Sequence, residues 1–294
     1  MRGSSECPTT IRSGPSRASN GTGGVTWPWT YPRSPFVTEA PRLVSLCPSM
    51  TETLFDIGAG PQVVGATRFC VRPERMEGVV RIGGTKDPRI QRILDLQPTL
   101  VLANREENRL EDVEALRAAG VEVHDSMPRR VDEVPTLIRD VGQRVGRARG
   151  ADAVAARLDE EILRLRARRH VMEPVTFLVL VWRRPWIAAS ADTFLSNLLF
   201  EAGGSNVLEG GGDRYPELTT EGVASLRPER VLLPSEPFPF SRQHVDELAR
   251  ATRMDPQRFL LCDGQLLTWH GSRSVLGLSA AARWMDRSPP QEHK

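Results

Sequence analysis

Residues 42–65 read RLVSLCPSMTETLFDIGAGPQVVG, and the rest of the chain is best read outward from them. Residues 42–46 are a β-branched and leucine run of strand type, which Cys47-Pro48 stops. Ser49 then has Glu52 three residues on, the spacing of a capping box, so a helix is expected to start there with its first turn capped by both side chains. Leu54, Phe55 and Ile57 give that helix an apolar side, and Gly58 and Gly60 supply a stop where a left-handed residue is wanted. Extended structure resumes at Val63. A strand feeding a helix through a proline turn is expected to leave helix-terminal N–H groups facing a cleft, where an anionic or amide-bearing ligand is favoured; an ordinary βα turn with nothing bound fits the same residues.

Downstream, the pattern alternates. Helices are expected near residues 89–96, 109–119, 151–169, 194–201, 221–226, 245–251 and 274–285. Strands are expected near 99–103, 121–124, 175–182, 231–233 and 259–262. Such alternation implies an α/β fold with parallel sheets covered on both faces. The two halves also repeat each other. Residues 93–102 (ILDLQPTLVL) match residues 223–232 (VASLRPERVL) at an offset of 130: a helix, a proline stop and a buried strand. The expected organisation is an N-terminal arm over 1–40, a lobe over 41–150, a bridging helix over 151–171, a second lobe over 172–286 and a tail over 287–294. Two lobes facing each other across a cleft suit the trapping of a small ligand.

Composition narrows the function. The 294 residues carry 39 basic and 37 acidic side chains, a net charge of +2, with no concentrated basic face for nucleic acid. The arginines at 164–169 end a helical pattern that carries Asp159, Glu160 and Glu161, as a solvated face obeying the helix dipole would. Cysteines 7, 47, 70 and 262 show no zinc spacing. Gly210-Gly211-Gly212 lacks dinucleotide-binding spacing, and no phosphate-binding Walker sequence is present. Nothing approaches the roughly 20 apolar residues of a membrane span. The first 40 residues are rich in Ser, Gly, Thr, Arg and Pro and read as disordered, with Trp27, Trp29, Tyr31 and Phe36 available to pack as an extended arm. They lack the apolar core of a secretory signal, and Val25 is a possible alternative start, so a cytoplasmic location stays open.

Ligands in parallel sheets lie at the carboxyl ends of the strands. That places Pro48, Ser49, Met50, Arg68, Phe69, Asn104, Trp186, Tyr215, Trp269, His270 and Arg273 at the cleft, where Phe69, Trp186, Tyr215 and Trp269 suit a large planar ligand. Arg68, Arg183, Arg184 and Arg273 are candidates for acidic substituents. His270 is a candidate hydrogen-bonding residue or axial ligand to a chelated metal. Glu106 and Glu107 are expected in the first turn of the following helix. Cys70 with His270 is the nearest approach to a nucleophile and base, but no third orienting group accompanies them, and no enzyme activity is expected.

SLCPSMTETLFDIGAG, GGTKDPRIQRILDLQPTLVLA and SNLLFEAGGSNV followed by YPELTTEGVASLRPERVLL resemble the cobalamin-binding proteins of bacterial ABC importers, within the helical-backbone receptors for metal chelates. The resemblance covers about residues 42–284. It implies two α/β lobes bridged by a rigid helix, a non-catalytic monomer, and cobalamin held in the cleft by Phe69, Trp186, Tyr215, Trp269 and Arg273. It also implies a periplasmic or cell-envelope location and a permease partner docked through one glutamate on each lobe. Glu221 occupies the second-lobe position; the first-lobe position is Gln91, which carries no charge. After the strand at 99–103, Asn104 stands where cobalamin-binding members have an aromatic. These departures leave three ligands or roles open: a corrinoid for import, a ferric siderophore or haem on the same scaffold, or corrinoid handling in the cytosol.

Overall fold

The computed structural model describes residues 40–208, 210 and 212–287; the arm and tail expected from the sequence lie outside them, apart from residues 40 and 287. The first lobe runs β1 (Leu43–Ser45), α1 (Pro48–Asp56), β2 (Val63–Ala66), β3 (Val80–Arg81), α2 (Ile90–Asp95), β4 (Leu100–Asn104), α3 (Leu110–Ala118) and β5 (Val123–Ser126). Two antiparallel helices follow, α4 (Val134–Arg144) and α5 (Ala148–Arg169). The second lobe runs β6 (Val175–Trp182), β7 (Trp186–Ala188), α6 (Phe194–Glu201), β8 (Gly204–Asn206), β9 (Glu217–Leu218), α7 (Thr220–Leu226), β10 (Arg230–Pro234), α8 (Arg242–Thr252), β11 (Phe259–Cys262), α9 (Gly264–Thr268) and α10 (Ser274–Trp284).

The first sheet is parallel throughout, in the order β3-β2-β1-β4-β5. The second repeats its core as β8-β6-β10-β11, again parallel. It departs from the all-parallel expectation at one place. Beyond β8, the far end of the eight-residue β6 folds back through Arg184-Pro185 into β7, and β7 pairs with β9, both antiparallel. The three residues of β7 and the two of β9 are too short to show periodicity in the sequence.

The 130-residue repeat holds at the level of single dihedrals. Gln97 (φ 48°) and Arg227 (φ 47°) both take the left-handed conformation, each between helix and proline, and the strands after them start at Leu100 and Arg230. Without a glycine the turn costs about 1 kcal/mol, so its occurrence at both equivalent positions is a strong mark of a common lobe.

Alternation along each central strand divides the core in three. Leu43, Leu100 and Leu102 of the first sheet, and Val175, Phe177, Val179 and Leu232 of the second, point into one shared cluster with α4, α5, α6 and α10. Val44, Val101 and Ala103 face a cluster belonging to the first lobe, and Leu178, Leu180, Val231 and Leu233 face one belonging to the second. The lobes therefore meet through a continuous apolar core as well as through α5, whose 22 residues span about 33 Å. Ionic ties reinforce the junction. Arg166 on α5 donates to Asp132, ahead of α4, and to the buried Glu201 at the end of α6, each at 2.7 Å.

Candidate functional site

The turn from β1 into α1 differs from the sequence expectation. Pro48 takes the first helical position and Cys47 the cap, with no side-chain capping bond. Ser49 and Glu52 consequently sit inside the helix and form no capping box. Both reach the other lobe instead: Glu52 binds Arg273 through two bonds, one of 2.6 Å, and the Ser49 hydroxyl lies 3.4 Å from His270 Nδ1. One turn on, Thr53 Oγ1 accepts from the Ser272 N–H at 3.0 Å. Gly271, between these contacts, has φ +93°, and a Cβ there would meet Thr53 Oγ1 at 2.2 Å. The start of α1 is thus covered by residues 269–273 rather than open to a ligand, and Pro48, Ser49 and Met50 are all buried.

This packing explains the electrostatics. Burial alone pushes the His270 imidazole down to about 4, so at neutral pH it is an uncharged ring packed edge-on to Phe194. Cys70, paired with it in the sequence reading, instead receives a hydrogen bond from the Thr51 hydroxyl and lies 3.1 Å from Thr67 Oγ1, and burial raises its thiol. Trp269 and Arg273 are buried as well.

The opposite wall is built by Asn104, whose carboxamide oxygen accepts from the N–H groups of Glu106 (2.9 Å) and Glu107 (3.3 Å). Its own N–H donates to Asn108, and the Asn108 amide donates to the carbonyls of Leu46 and Thr85. Residues 104–108 are therefore a tied turn, and α3 starts only at Leu110. Glu106 and Glu107 are not its first turn. Glu106 crosses to the second lobe, 2.5 Å from Arg214 and 3.4 Å from the Tyr215 hydroxyl, while Lys86 donates to its carbonyl. Burial, then the Glu106 charge, push the Tyr215 phenol up to about 12. Glu107 accepts from the Cys47 thiol at 3.3 Å; burial, with the charges of Glu236 and Glu106, carries its carboxyl up to about 7. Glu236, on the loop after β10, accepts from the Trp269 indole N–H at 2.7 Å and is itself raised by burial.

Beside these acids lies an apolar cavity of about 300 Å³, lined by Val181, Trp182, Ile187, Leu195, Tyr215, Pro237 and Thr268. Of these, Tyr215 is expected from the sequence to grip a ligand, and Trp182 and Pro237 stand at strand ends (residues 182–186 and 236–240) that the sequence places at the cleft. Ile187 depends on the unforeseen β7 hairpin, while Val181, Leu195 and Thr268 come from β6, α6 and α9 and are brought to the cavity by the tertiary fold alone. Trp186 is half-buried and stacks on Phe240, with Arg183 over it and bonded to Glu247. Phe69 is 49% exposed on the first lobe, with Arg68 4.8 Å above its ring and held by Asp87. Gln91 and Glu221 lie exposed on α2 and α7, and the Gln91 amide donates to Asp95. Among the described residues, no group of three His, Cys, Asp or Glu is placed to hold a metal ion, and no helix is long and apolar enough to cross a membrane.

The model of the periplasmic binding proteins matches residues 43–251, from the start of the first lobe into α8 of the second. The chain belongs to that family. A family relative, the vitamin B12-binding protein of Vibrio campbellii, is 23% identical over 190 residues, 65% of this chain and 69% of its own. Its counterpart from Yersinia pestis is 24% identical over 194 residues, covering 66% and 69%. Among solved structures, the periplasmic vitamin B12 binding protein BtuF of Vibrio cholerae shares the fold with a TM-score of 0.72 at 19% identity, over 84% of this chain and 96% of that one. The periplasmic heme-binding protein RhuT from Roseiflexus sp. RS-1 gives 0.70 at 27% identity, over 83% and 97%. For a periplasmic binding protein, the geometry above is that of a cleft with one apolar wall, one acidic wall and a sealed floor.

Proposed function

We propose that this protein is a non-catalytic, monomeric receptor that holds a corrinoid such as cobalamin between its lobes in the cell envelope and presents it to an ABC permease. One juxtaposition carries the choice of ligand. The apolar seat of Trp182 and Tyr215 adjoins two carboxyls, Glu106 at 3.4 Å from the Tyr215 hydroxyl and Glu236 at 3.5 Å from the Thr268 hydroxyl, with Glu107 next in the chain to Glu106. A corrin is a flat body edged with carboxamides, whose N–H groups such acceptors bind. At about 300 Å³ the cavity takes only part of so large a ligand, and the exposed Phe69 offers a ring from the opposite lobe.

Haem is the second reading, favoured by the similarity to RhuT. Two features weigh against it: the cleft acids repel propionates, and neither the raised Tyr215 phenol nor the buried His270 offers a ready axial ligand. Titration of the purified protein with cyanocobalamin and with hemin separates the two. Saturable cyanocobalamin binding at least ten-fold tighter than hemin binding is expected; the reverse order would assign the cleft to haem.

A further inference from the structure

Arg214 stands between two carboxylates. Across the cleft its Nη1 lies 2.5 Å from Glu106 Oε1 of the first lobe. Within its own lobe its Nε is 4.0 Å from Asp192 Oδ2, and its Nη2 reaches the Asp192 backbone carbonyl at 3.4 Å. We propose that Arg214 is a two-position latch: on Glu106 it ties the lobes across the cleft, and on Asp192 it frees the cavity wall for a ligand.

The guanidinium is only partly used where it stands. Arg214 Nε is buried and, among the described residues, has no hydrogen-bond partner. A buried donor left unsatisfied is costly, and a turn of the side chain toward Asp192 satisfies it at a carboxylate already steadied by the Ser190 hydroxyl at 2.6 Å. The backbone is pinned for such a swing, because the Ser190 N–H donates to the Arg214 carbonyl at 3.0 Å and the Ala188 N–H to the Pro216 carbonyl at 2.9 Å. Only the side chain has to move. One carboxylate replaces another, so neither position leaves the guanidinium without a counter-ion.

The Glu106 side of the latch controls the cavity. The oxygen that meets Arg214 also accepts from the Tyr215 hydroxyl at 3.4 Å, and Tyr215 lines the apolar cavity. Lys86, whose ammonium donates to the Glu106 carbonyl at 2.8 Å, stays with the first-lobe turn when Arg214 leaves. The Arg214 and Glu106 side chains are 20% and 29% exposed, which suits a tie that breaks more readily than the buried pair of Glu52 and Arg273.

The latch can be tested on the empty protein through the NMR resonance of the Arg214 Nε–H, assigned by its loss in Arg214→Lys. In Glu106→Gln the guanidinium should turn to Asp192, and the resonance should move downfield as Nε gains an acceptor. Adding Asp192→Ala to that variant should abolish the move. A resonance that stays in place in Glu106→Gln, or that moves equally in the double variant, would overturn the latch. If Glu106→Gln does not fold, Glu106→Asp keeps the charge but withdraws it by one methylene; it should move the resonance the same way, and an unmoved resonance would again overturn the proposal.

The consequence for a ligand rests on the corrinoid reading, in which a carboxamide N–H takes the place of Arg214 on Glu106. Asp192 is not one of the residues lining the cavity, yet Asp192→Ala removes the second position. Association of cyanocobalamin, followed by stopped flow, should then slow roughly five-fold, as one partly exposed ion pair allows. Equal association rates in the wild type and Asp192→Ala would overturn the latch's role in entry. A moved Nε–H resonance with no cyanocobalamin binding would leave the latch standing and remove the corrinoid reading.

Discussion

Glu52 on the first lobe and Arg273 on the second form a bidentate ion pair with both side chains at most 14% exposed. Neither residue is near the other in sequence, and together they join α1 to the loop preceding α10. Removing one partner strands the other charge, so Arg273→Ala and Glu52→Ala should each lower stability by about 2–4 kcal/mol, slightly discounted from a fully buried pair. Urea denaturation of the two single variants and the double variant measures this. The double variant should lose less than the sum of the two.

Tyr215 and Trp186 separate once their surroundings are compared. Tyr215 is 37% exposed and lines the cavity. Tyr215→Ala should weaken ligand binding by one to two decades, about 1–3 kcal/mol, with little change in Tm. Trp186 packs against the second lobe's own core, and Trp186→Ala should cost about 2–4 kcal/mol of stability. Paired melting curves and ligand titrations check both.

His270 gives a pH dependence of known sign. Its folded value near 4 lies below the 6.5 of the free side chain, so the unfolded chain binds the extra proton. Its contribution is fully present above about pH 6.5 and is lost as the pH falls toward 4, about 3 kcal/mol at the limit. Glu107 acts oppositely: its raised carboxyl adds stability on acidification from about 7 toward the 4.5 of a free glutamate. The two partly cancel in the wild type. The difference in stability between wild type and His270→Gln, followed by denaturation from pH 7.5 to 4.5, should therefore shrink as the pH falls.

Gly150 lies in the first turn of α5, and a Cβ there would meet the Ile57 carbonyl oxygen at 2.3 Å. That is backbone, which cannot swing aside. Gly150→Ala should lower stability by about 1–3 kcal/mol despite the better helix propensity of alanine, and thermal unfolding will show it.

If the protein serves a permease, Glu221 on α7 should dominate docking and do so in a salt-dependent way. Glu221→Ala should slow uptake in cells that need the ligand, without altering affinity measured on the purified protein. Gln91→Glu should leave uptake intact or raise it. Uptake indifferent to both changes would point to a role away from a transporter.

The architecture was largely written in local pattern. The alternation of strand and helix, the long α5 and the repeat between residues 93–102 and 223–232 all rest on neighbours in sequence, and all are present. The site was far less legible. Ser49 and Glu52 have the spacing of a cap, yet Pro48 starts the helix one residue earlier and a distant arginine claims the glutamate. Arg273 and His270 read as ligand-facing because they follow a strand and a short polar loop; only the closeness of the other lobe makes them packing residues. Glu106 and Glu107 read as a helix start because nothing local shows that Asn104 and Asn108 tie the turn ahead of it. For Glu52 a contact between lobes decided the role, and for Glu106 and Glu107 a hydrogen-bonded turn within the first lobe did.

The ribbon of β7 and β9 belongs to one lobe only. Two equal lobes would form a mirror-like vice with no preference for which side of a plate faced which wall. With the ribbon present, Ile187 and Tyr215 deepen one jaw into an apolar cup, while the other jaw bears Glu106 and Glu107. The vice thereby acquires a top and a bottom, and a plate with unlike faces would seat in one orientation only.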